Sequence, residues 1–333
     1  MCAGVGVVLG ERWQLERELG TATIVFEPPG MKYALTGNAA ADRGRGYSDS
    51  REPSPKEPWR QRVITVGDSV TFGVSVAPRE AWPGALQALL PSSVDVLNFG
   101  VNGYDAEQVA SLVESRLAAW KPDLVVWGTY TNDLAPTYML YGTKTGDPVF
   151  VGNHVPEGAR VLPEPLSLWL VRRSALFRRL QGGFYSRLVA EKGAVVAEPE
   201  WYPEQVRRVR QWTQEHGVDL VVMVLTPHVL ADEPGCPSRH AEPKMCEGAK
   251  LAYQRITSVL AMAGLPYVDG LAAYQASGQP AFFPEGRDDP DHPNPAGHGI
   301  LASAVAPAVA ARLVARKPVE EQRESRRRRP PEP

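Results

Sequence analysis

The sequence predicts a three-layer α/β/α domain built on a five-stranded parallel sheet. Short runs rich in β-branched residues alternate with longer amphipathic segments, as expected for strands joined by crossover helices. A hydrophobic content of 43% over 333 residues is enough for one large core. Polar loops follow the predicted strands, so the same pattern also predicts a ligand crevice at the carboxyl edge of the sheet.

Three segments of different composition divide the chain. Residues 1–60 form an N-terminal arm with little periodicity, and residues 61–316 carry the α/β pattern with an insertion at about 135–200. Residues 317–333 are charged and rich in proline, which predicts a disordered tail. The formal net charge of −2 gives no electrostatic basis for nucleic acid as the partner.

Each predicted strand is a short β-branched run, and each predicted helix shows apolar residues at helical spacing. The helix near the C-terminus has strong start signals, with Asn294 at the N-cap and Pro295 at the first helical position. Asp105 is the predicted N-cap of an earlier helix. The strands are Val63–Val66, Val94–Leu97, Leu124–Trp127, Leu220–Leu225 and Tyr267–Val268. The helices are Ala81–Leu90, Ala106–Trp120, Leu166–Leu180, Pro203–His216, Gly248–Ala263 and Pro295–Arg316.

The insertion is too long for a simple connection between strands. Its helix Leu166–Leu180 is amphipathic and carries four arginines. One interpretation is a helix packed on the domain with its arginines in solvent. The other is a lid, or a basic face toward an anionic polymer or a membrane surface. The four arginines are Arg172, Arg173, Arg178 and Arg179.

The N-terminus and the cysteines bear on the compartment. Met1–Leu9 is apolar but short, so it is either a plain N-terminus or the tail of a truncated membrane anchor. Cys236 and Cys246 bracket a polar loop, and they either form a disulfide in an oxidising compartment or remain free thiols. These features favour an exported or membrane-associated protein and indicate nothing about its oligomeric state.

The residues that suit acyl transfer lie in the loops after the strands. Ser69 follows the first strand, and an imidazole such as His292 is the base that a serine hydroxyl needs near pH 7. Asp289, three residues before His292, is a suitable carboxylate to orient that imidazole, with Asp288 and Asp291 beside it. Donors for an oxyanion are offered by the Ser69 N–H, the Gly100 N–H and the Asn132 side-chain amide.

In their order along the chain, Gly67-Asp68-Ser69, Gly100, Asn132 and Asp289-x-x-His292 resemble the four sequence blocks of the SGNH hydrolases, also called the GDSL family. The resemblance covers about residues 62–314. It implies a flavodoxin-like α/β/α fold and ester hydrolysis or acyl transfer without metal or cofactor. It further implies that Ser69 is the nucleophile, His292 the general base and Asp289 its partner, with Ser69, Gly100 and Asn132 forming the oxyanion hole.

Two departures from the family pattern affect this interpretation. Val70 replaces the leucine of the family's nickname, and two extra residues separate Gly128 from Asn132. The leading hypothesis is a serine esterase that removes small acyl groups, such as O-acetyl groups, from carbohydrate. The alternatives are an O-acetyltransferase with the same triad and a non-catalytic carbohydrate-binding protein. An α/β-hydrolase is disfavoured, because the sequence contains no G-x-S-x-G elbow.

Overall fold

The structure is a computed structural model of the full chain. It describes residues 24–25, 34–35, 56–134, 139–141, 148–150, 160–192, 200–231, 243–283 and 292–315. Of the predicted N-terminal arm, this includes the short strands β1 (Ile24–Val25) and β2 (Ala34–Leu35), which pair antiparallel, and the last residues before the sheet. The predicted tail, residues 317–333, lies outside the described residues.

The central sheet has five parallel strands: β3 (Gln61–Gly67), β4 (Val94–Asn98), β5 (Leu124–Thr129), β8 (Asp219–Val224) and β9 (Tyr267–Asp269). Across the sheet they lie in the order β4-β3-β5-β8-β9. This confirms the predicted five-stranded parallel sheet, and all five predicted strands are present within two residues of their predicted ends. A separate antiparallel hairpin in the insertion consists of β6 (Met139–Tyr141) and β7 (Pro148–Phe150).

Helices cover both faces of the sheet. Because side chains alternate along a strand, Ile64 and Val125 belong to one core while Val63 and Val126 belong to the other. The described helices are α1 (Ser69–Phe72), α2 (Trp82–Leu89), α3 (Ala106–Arg116), α4 (Glu164–Arg173), α5 (Ala175–Lys192), α6 (Trp201–Glu215), α7 (His228–Ala231), α8 (Pro243–Met262), α9 (Gly270–Ser277) and α10 (Pro295–Ala315). Helices α3, α6 and α8 pack on the first face, and α2, α9 and α10 pack on the second.

Helix α10 is long and apolar enough to span a membrane by length and composition. Its buried residues, however, include Leu301, Val305 and Val309, which belong to the core beneath the sheet. The helix also packs closely against α2. Of its apolar 18-residue window, 33% is buried inside the domain, so packing accounts for part of its apolar character.

Both predicted N-caps are confirmed, whereas the predicted single helix of the insertion is wrong. Asp105 Oδ1 accepts from the Gln108 N–H at 3.0 Å, and Asn294 Oδ1 accepts from the Gly297 N–H at 2.9 Å. The segment predicted as one helix is broken at Ser174, whose backbone is extended (φ −129°, ψ 112°). The Ser174 hydroxyl accepts from the Phe177 N–H at 3.2 Å, so this serine caps a new helix instead of continuing the old one.

Candidate active site

The turn between β3 and α1 carries the predicted nucleophile. Gly67 has φ 153°, and a Cβ at this position would lie 2.5 Å from the carbonyl oxygen of Gly128, so only glycine fits. Asp68 follows and is buried, while Ser69 is the first residue of α1 and is partly exposed. The sequence therefore places a serine hydroxyl at the accessible carboxyl edge of the sheet.

Asp68 caps α1 and lies at the centre of the site. Its Oδ1 accepts from the Val70 N–H at 3.0 Å, so this carboxyl is bonded to local backbone. Burial raises the pKa of the Asp68 carboxyl to about 6, opposed first by that N–H, then by the charge of His292 and by the Asn132 side chain. The structure thus brings His292 and Asn132 close to the residue that immediately precedes Ser69.

Asn132 lies in a 3₁₀ turn, Thr131–Leu134, directly after β5. It is exposed, whereas its neighbour Asp133 is fully buried and accepts from the Tyr130 N–H at 3.1 Å. Burial, reinforced by the nearby Asp68 carboxyl, raises the pKa of Asp133 well above its usual range. Through its bond to the Tyr130 N–H, this buried side chain holds the turn that presents Asn132.

The loop after β4 is tied to α1 by Asn98, a residue that the sequence motifs did not single out for the site. Asn98 Nδ2 donates to the Thr71 carbonyl at 2.8 Å, and its Oδ1 accepts from the Gly100 N–H at 2.9 Å. Gly100 is buried, and a Cβ there would lie 2.4 Å from the Phe72 nitrogen. The N–H that was predicted to stabilise an oxyanion is therefore already engaged, so that role of Gly100 stays a prediction.

Three glycines surround Thr71: Gly67 at the end of β3, Gly128 near the end of β5, and Gly100 in the loop after β4. A Cβ at Gly67 or at Gly128 would lie 2.3 or 2.6 Å from Thr71 Oγ1, and one at Gly100 would lie 2.9 Å from Thr71 Cβ. Thr71 is fully buried, and its hydroxyl has no hydrogen-bond partner among the described residues. The carboxyl ends of β3 and β5 and the loop after β4 therefore meet around one small side chain, which the sequence motifs did not reveal.

His298 lies behind the site at the start of α10. It is fully buried, and its Nδ1 accepts from the Trp82 N–H at 3.2 Å. Burial, with a smaller contribution from the charge of His292, lowers the pKa of His298 to about 3. His298 is therefore a neutral imidazole that links α10 to α2, and it lies near His292.

The predicted orienting carboxylate, Asp289, lies outside the described residues, as do Asp288 and Asp291. Its role stays a prediction. The described part of the site consists of Ser69 on α1, Asn132 in the 3₁₀ turn after β5, and His292 just before α10, with Asp68 among them.

A comparison with known proteins identifies the family. The profile of the GDSL-like lipase/acylhydrolase family matches residues 65–300, which include every described residue of this site. The chain belongs to this family. It is accordingly a GDSL hydrolase that acts on ester bonds, and its α/β/α fold is the one that the sequence blocks implied.

Individual relatives of this GDSL hydrolase are distant. An acetylxylan esterase of Xylanibacter ruminicola is 34% identical over 100 residues, which is 28% of this chain and 21% of that protein. The chain thus spans about a fifth of the length of this curated relative. Among solved structures, an acetyl xylan esterase named AlAXEase has a TM-score of 0.46 at 15% identity, with 74% of this chain and 99% of that chain covered. TesA has a TM-score of 0.44 at 16% identity, with 76% and 99% covered.

Proposed function

We propose that this GDSL hydrolase cleaves esters through an acyl-enzyme, with Ser69 as nucleophile, His292 as general base and Asp289 as the carboxylate that orients His292. The observation that carries the proposal is the neighbourhood of Asp68. Burial raises the pKa of Asp68, and two residues that are distant from it in sequence oppose this shift, His292 just before α10 and Asn132 in the turn after β5. Ser69 is the next residue in the chain. A hydroxyl, an imidazole and an amide donor therefore share one edge of the sheet.

The chemistry follows from these groups. As Ser69 Oγ bonds to the acyl carbon, His292 takes the hydroxyl proton, and the carbonyl oxygen becomes an oxyanion that accepts from the Ser69 N–H and the Asn132 amide. Collapse of this intermediate breaks the ester bond, and His292 gives its proton to the departing alcohol. Water then attacks the acyl-enzyme, with His292 again as base, and releases the acid and the free Ser69. A contribution from the Gly100 N–H requires that its bond to Asn98 be released or shared.

Replacement of the nucleophile tests the mechanism. We expect Ser69→Ala to reduce kcat/KM on p-nitrophenyl acetate by about 10³-fold or more, and to abolish labelling by a fluorophosphonate probe. Ser303→Ala is a matched control, because this exposed serine of α10 bonds only within its helix, to Gly299. Turnover by the Ser69 variant at the wild-type rate would exclude the serine mechanism.

We further propose that the natural substrate is an acylated carbohydrate with a small acyl group, such as O-acetyl. The support is the activity of a relative, the acetylxylan esterase of Xylanibacter ruminicola. Assays with acetyl, butyryl and octanoyl esters and with acetylated xylan would test this. We expect acetyl esters to have the highest kcat/KM; a preference for octanoyl esters would contradict the proposal, and acetyl transfer to added glycan in preference to water would identify an acetyltransferase instead.

An exported or membrane-associated location is also a proposal. Cys246 is disulfide-bonded and buried in a small cluster with Val229 and Leu230, and disulfides persist in oxidising compartments. Cys236 lies outside the described residues. Alkylation of protein from its native host before and after reduction tests the proposal, because a thiol at Cys246 that reacts without reduction would contradict it.

A further inference from the structure

The insertion joins the domain at the edge of the sheet that carries the site. The chain enters the insertion after Leu134, two residues beyond Asn132, and its next helix in the sheet domain, α6, begins at Trp201. Between these points lie the hairpin β6–β7 and the helices α4 and α5. Helix α5 packs against β7 and α4. The helical pair α4–α5 therefore belongs to an insertion that leaves the sheet domain beside the candidate active site.

Helix α5 has the reverse of the ordinary amphipathic pattern. Its exposed stripe consists of Leu176, Leu180 and Phe184, at i, i+4 and i+8, with 46–62% of each residue exposed. One position along the helix, and thus about 100° around it, the inward stripe contains Gln181 and Tyr185, both buried. A helix that only covered a core would bury the leucines and expose the glutamine.

Helix α4 repeats the reversal. Ser167 is fully buried, and its hydroxyl donates to the Leu162 carbonyl at 3.0 Å, whereas Leu166 and Trp169 are about half exposed. The two helices together thus present five large apolar side chains to solvent. We call these five residues the apolar stripe: Leu166, Trp169, Leu176, Leu180 and Phe184.

Positive charge accompanies the apolar stripe. Residues 160–192 contain seven basic and two acidic side chains, although the whole chain has a formal net charge of −2. Arg179 and Arg187 are exposed on α5, the helix that carries three residues of the stripe. Exposed leucine and aromatic side chains flanked by arginines are the composition of helices that lie in the interface of an anionic bilayer.

We propose that helices α4 and α5 dock this hydrolase on an anionic lipid surface, with the apolar stripe inserted at the headgroup boundary and the arginines facing lipid phosphates. The concentration of positive charge favours an anionic surface over a second copy of the chain, whose corresponding face would carry the same charge. The five large apolar residues favour a bilayer over a hydrated polyanion, which arginines alone would bind.

Co-sedimentation of the full chain with vesicles tests the docking surface. We expect binding to vesicles of equal parts phosphatidylcholine and phosphatidylglycerol, weaker binding to phosphatidylcholine alone, and loss of binding as salt is raised. The triple variant Leu176→Gln, Leu180→Gln, Phe184→Gln removes apolar area without changing charge, and we expect it to partition at least about tenfold more weakly. Its ester turnover in solution should remain at the wild-type level, which separates this test from that of the catalytic proposal.

A matched control keeps the experiment decisive. Leu251, Met262 and Val314 are exposed apolar residues of α8 and α10, outside the insertion, and their triple replacement by Gln should leave vesicle binding unchanged. Equal losses in the two triple variants, or no binding by the wild type, would overturn the proposal. A wild-type dimer in light scattering that the insertion variant abolishes would overturn it as well, since the stripe would then bind a second copy.

Discussion

Two regions of this molecule depart from the usual rule that apolar residues are buried and ionisable residues are exposed. One region buries ionisable groups, and the other exposes apolar side chains. The carboxyl edge of the sheet buries ionisable groups, including Asp68, Asp133 and His298, while the insertion exposes Leu176 and Leu180. Each arrangement costs stability on its own, because buried charge loses hydration and exposed apolar area remains in water. Such costs are tolerated where function requires them, which supports the catalytic role proposed for the first region and the lipid binding proposed for the second.

The largest predicted effect concerns His298. Its pKa is about 3 in the folded chain and 6.5 ordinarily, so the unfolded chain binds the extra proton as pH falls through this window. The free energy of unfolding should therefore decrease as the pH falls from about 6.5, by up to about 5 kcal/mol at about pH 3. His298→Asn keeps an acceptor for the Trp82 N–H and removes this titration. Urea unfolding of both proteins over this range should show the free energy of unfolding of the variant rising relative to that of the wild type as the pH falls. A difference between the two free energies that does not change with pH would contradict a neutral buried His298.

The next effect concerns catalysis and the exposed Asn132 in the turn after β5. Asn132→Ala should lower kcat by about 10²–10³ with a smaller change in KM, because an oxyanion donor acts mainly in the transition state. The measurement is steady-state hydrolysis of p-nitrophenyl acetate. Asn102→Ala, which removes a partly exposed amide from the loop after β4, is the control and should keep its activity. An unchanged kcat for the Asn132 variant would remove Asn132 from the oxyanion hole.

Asp68 provides a smaller and opposite pH effect. Its pKa is raised from 3.8 to about 6, so the folded chain retains a proton that the unfolded chain has lost. Stability should therefore decrease as pH rises from about 4 to about 6, by about 3 kcal/mol, and stay reduced above that range. Asp68→Asn retains a capping oxygen for the Val70 N–H and abolishes this decrease. Chemical denaturation at both ends of the range measures it, and a parallel decrease in the variant would assign the effect to another group.

The smallest expected effect is on stability and concerns the exposed apolar residues of the insertion. Leu180→Gln should change the free energy of unfolding by less than about 0.5 kcal/mol, because the side chain is already half in water. Leu301→Ala, at a fully buried leucine of α10, should cost about 2–5 kcal/mol. Thermal or urea unfolding compares the two. A large loss for the Leu180 variant would show that the exposed stripe stabilises the fold itself.

The sheet was predictable because local patterns determine it. Alternation in runs such as Val63–Val66 identifies the strands, and caps such as Asp105 and Asn294 mark helix starts; the structure confirms these. The break at Ser174 was missed because helical periodicity continues on both sides of it. Only the hydroxyl bond to the Phe177 N–H makes this serine a helix start instead of an interior residue.

The site was predictable in its residue types but not in its internal contacts. Motif order identified Ser69, Asn132 and His292, and the structure brings these segments together around Asp68. The bond between Asn98 and the Gly100 N–H depends on how closely two loops approach, which neighbouring residues in sequence do not specify. The burial of Asp133 likewise results from tertiary packing, so its raised pKa had no signal in the motif.

The crowding of three glycines around Thr71 limits how this enzyme can be altered. Since one added carbon at any of the three would collide with Thr71 or its immediate neighbours, the catalytic loops cannot be repositioned one at a time. Replacements meant to alter the site are therefore better tolerated at exposed or partly exposed positions such as Ser75 and Asn102 than at these glycines.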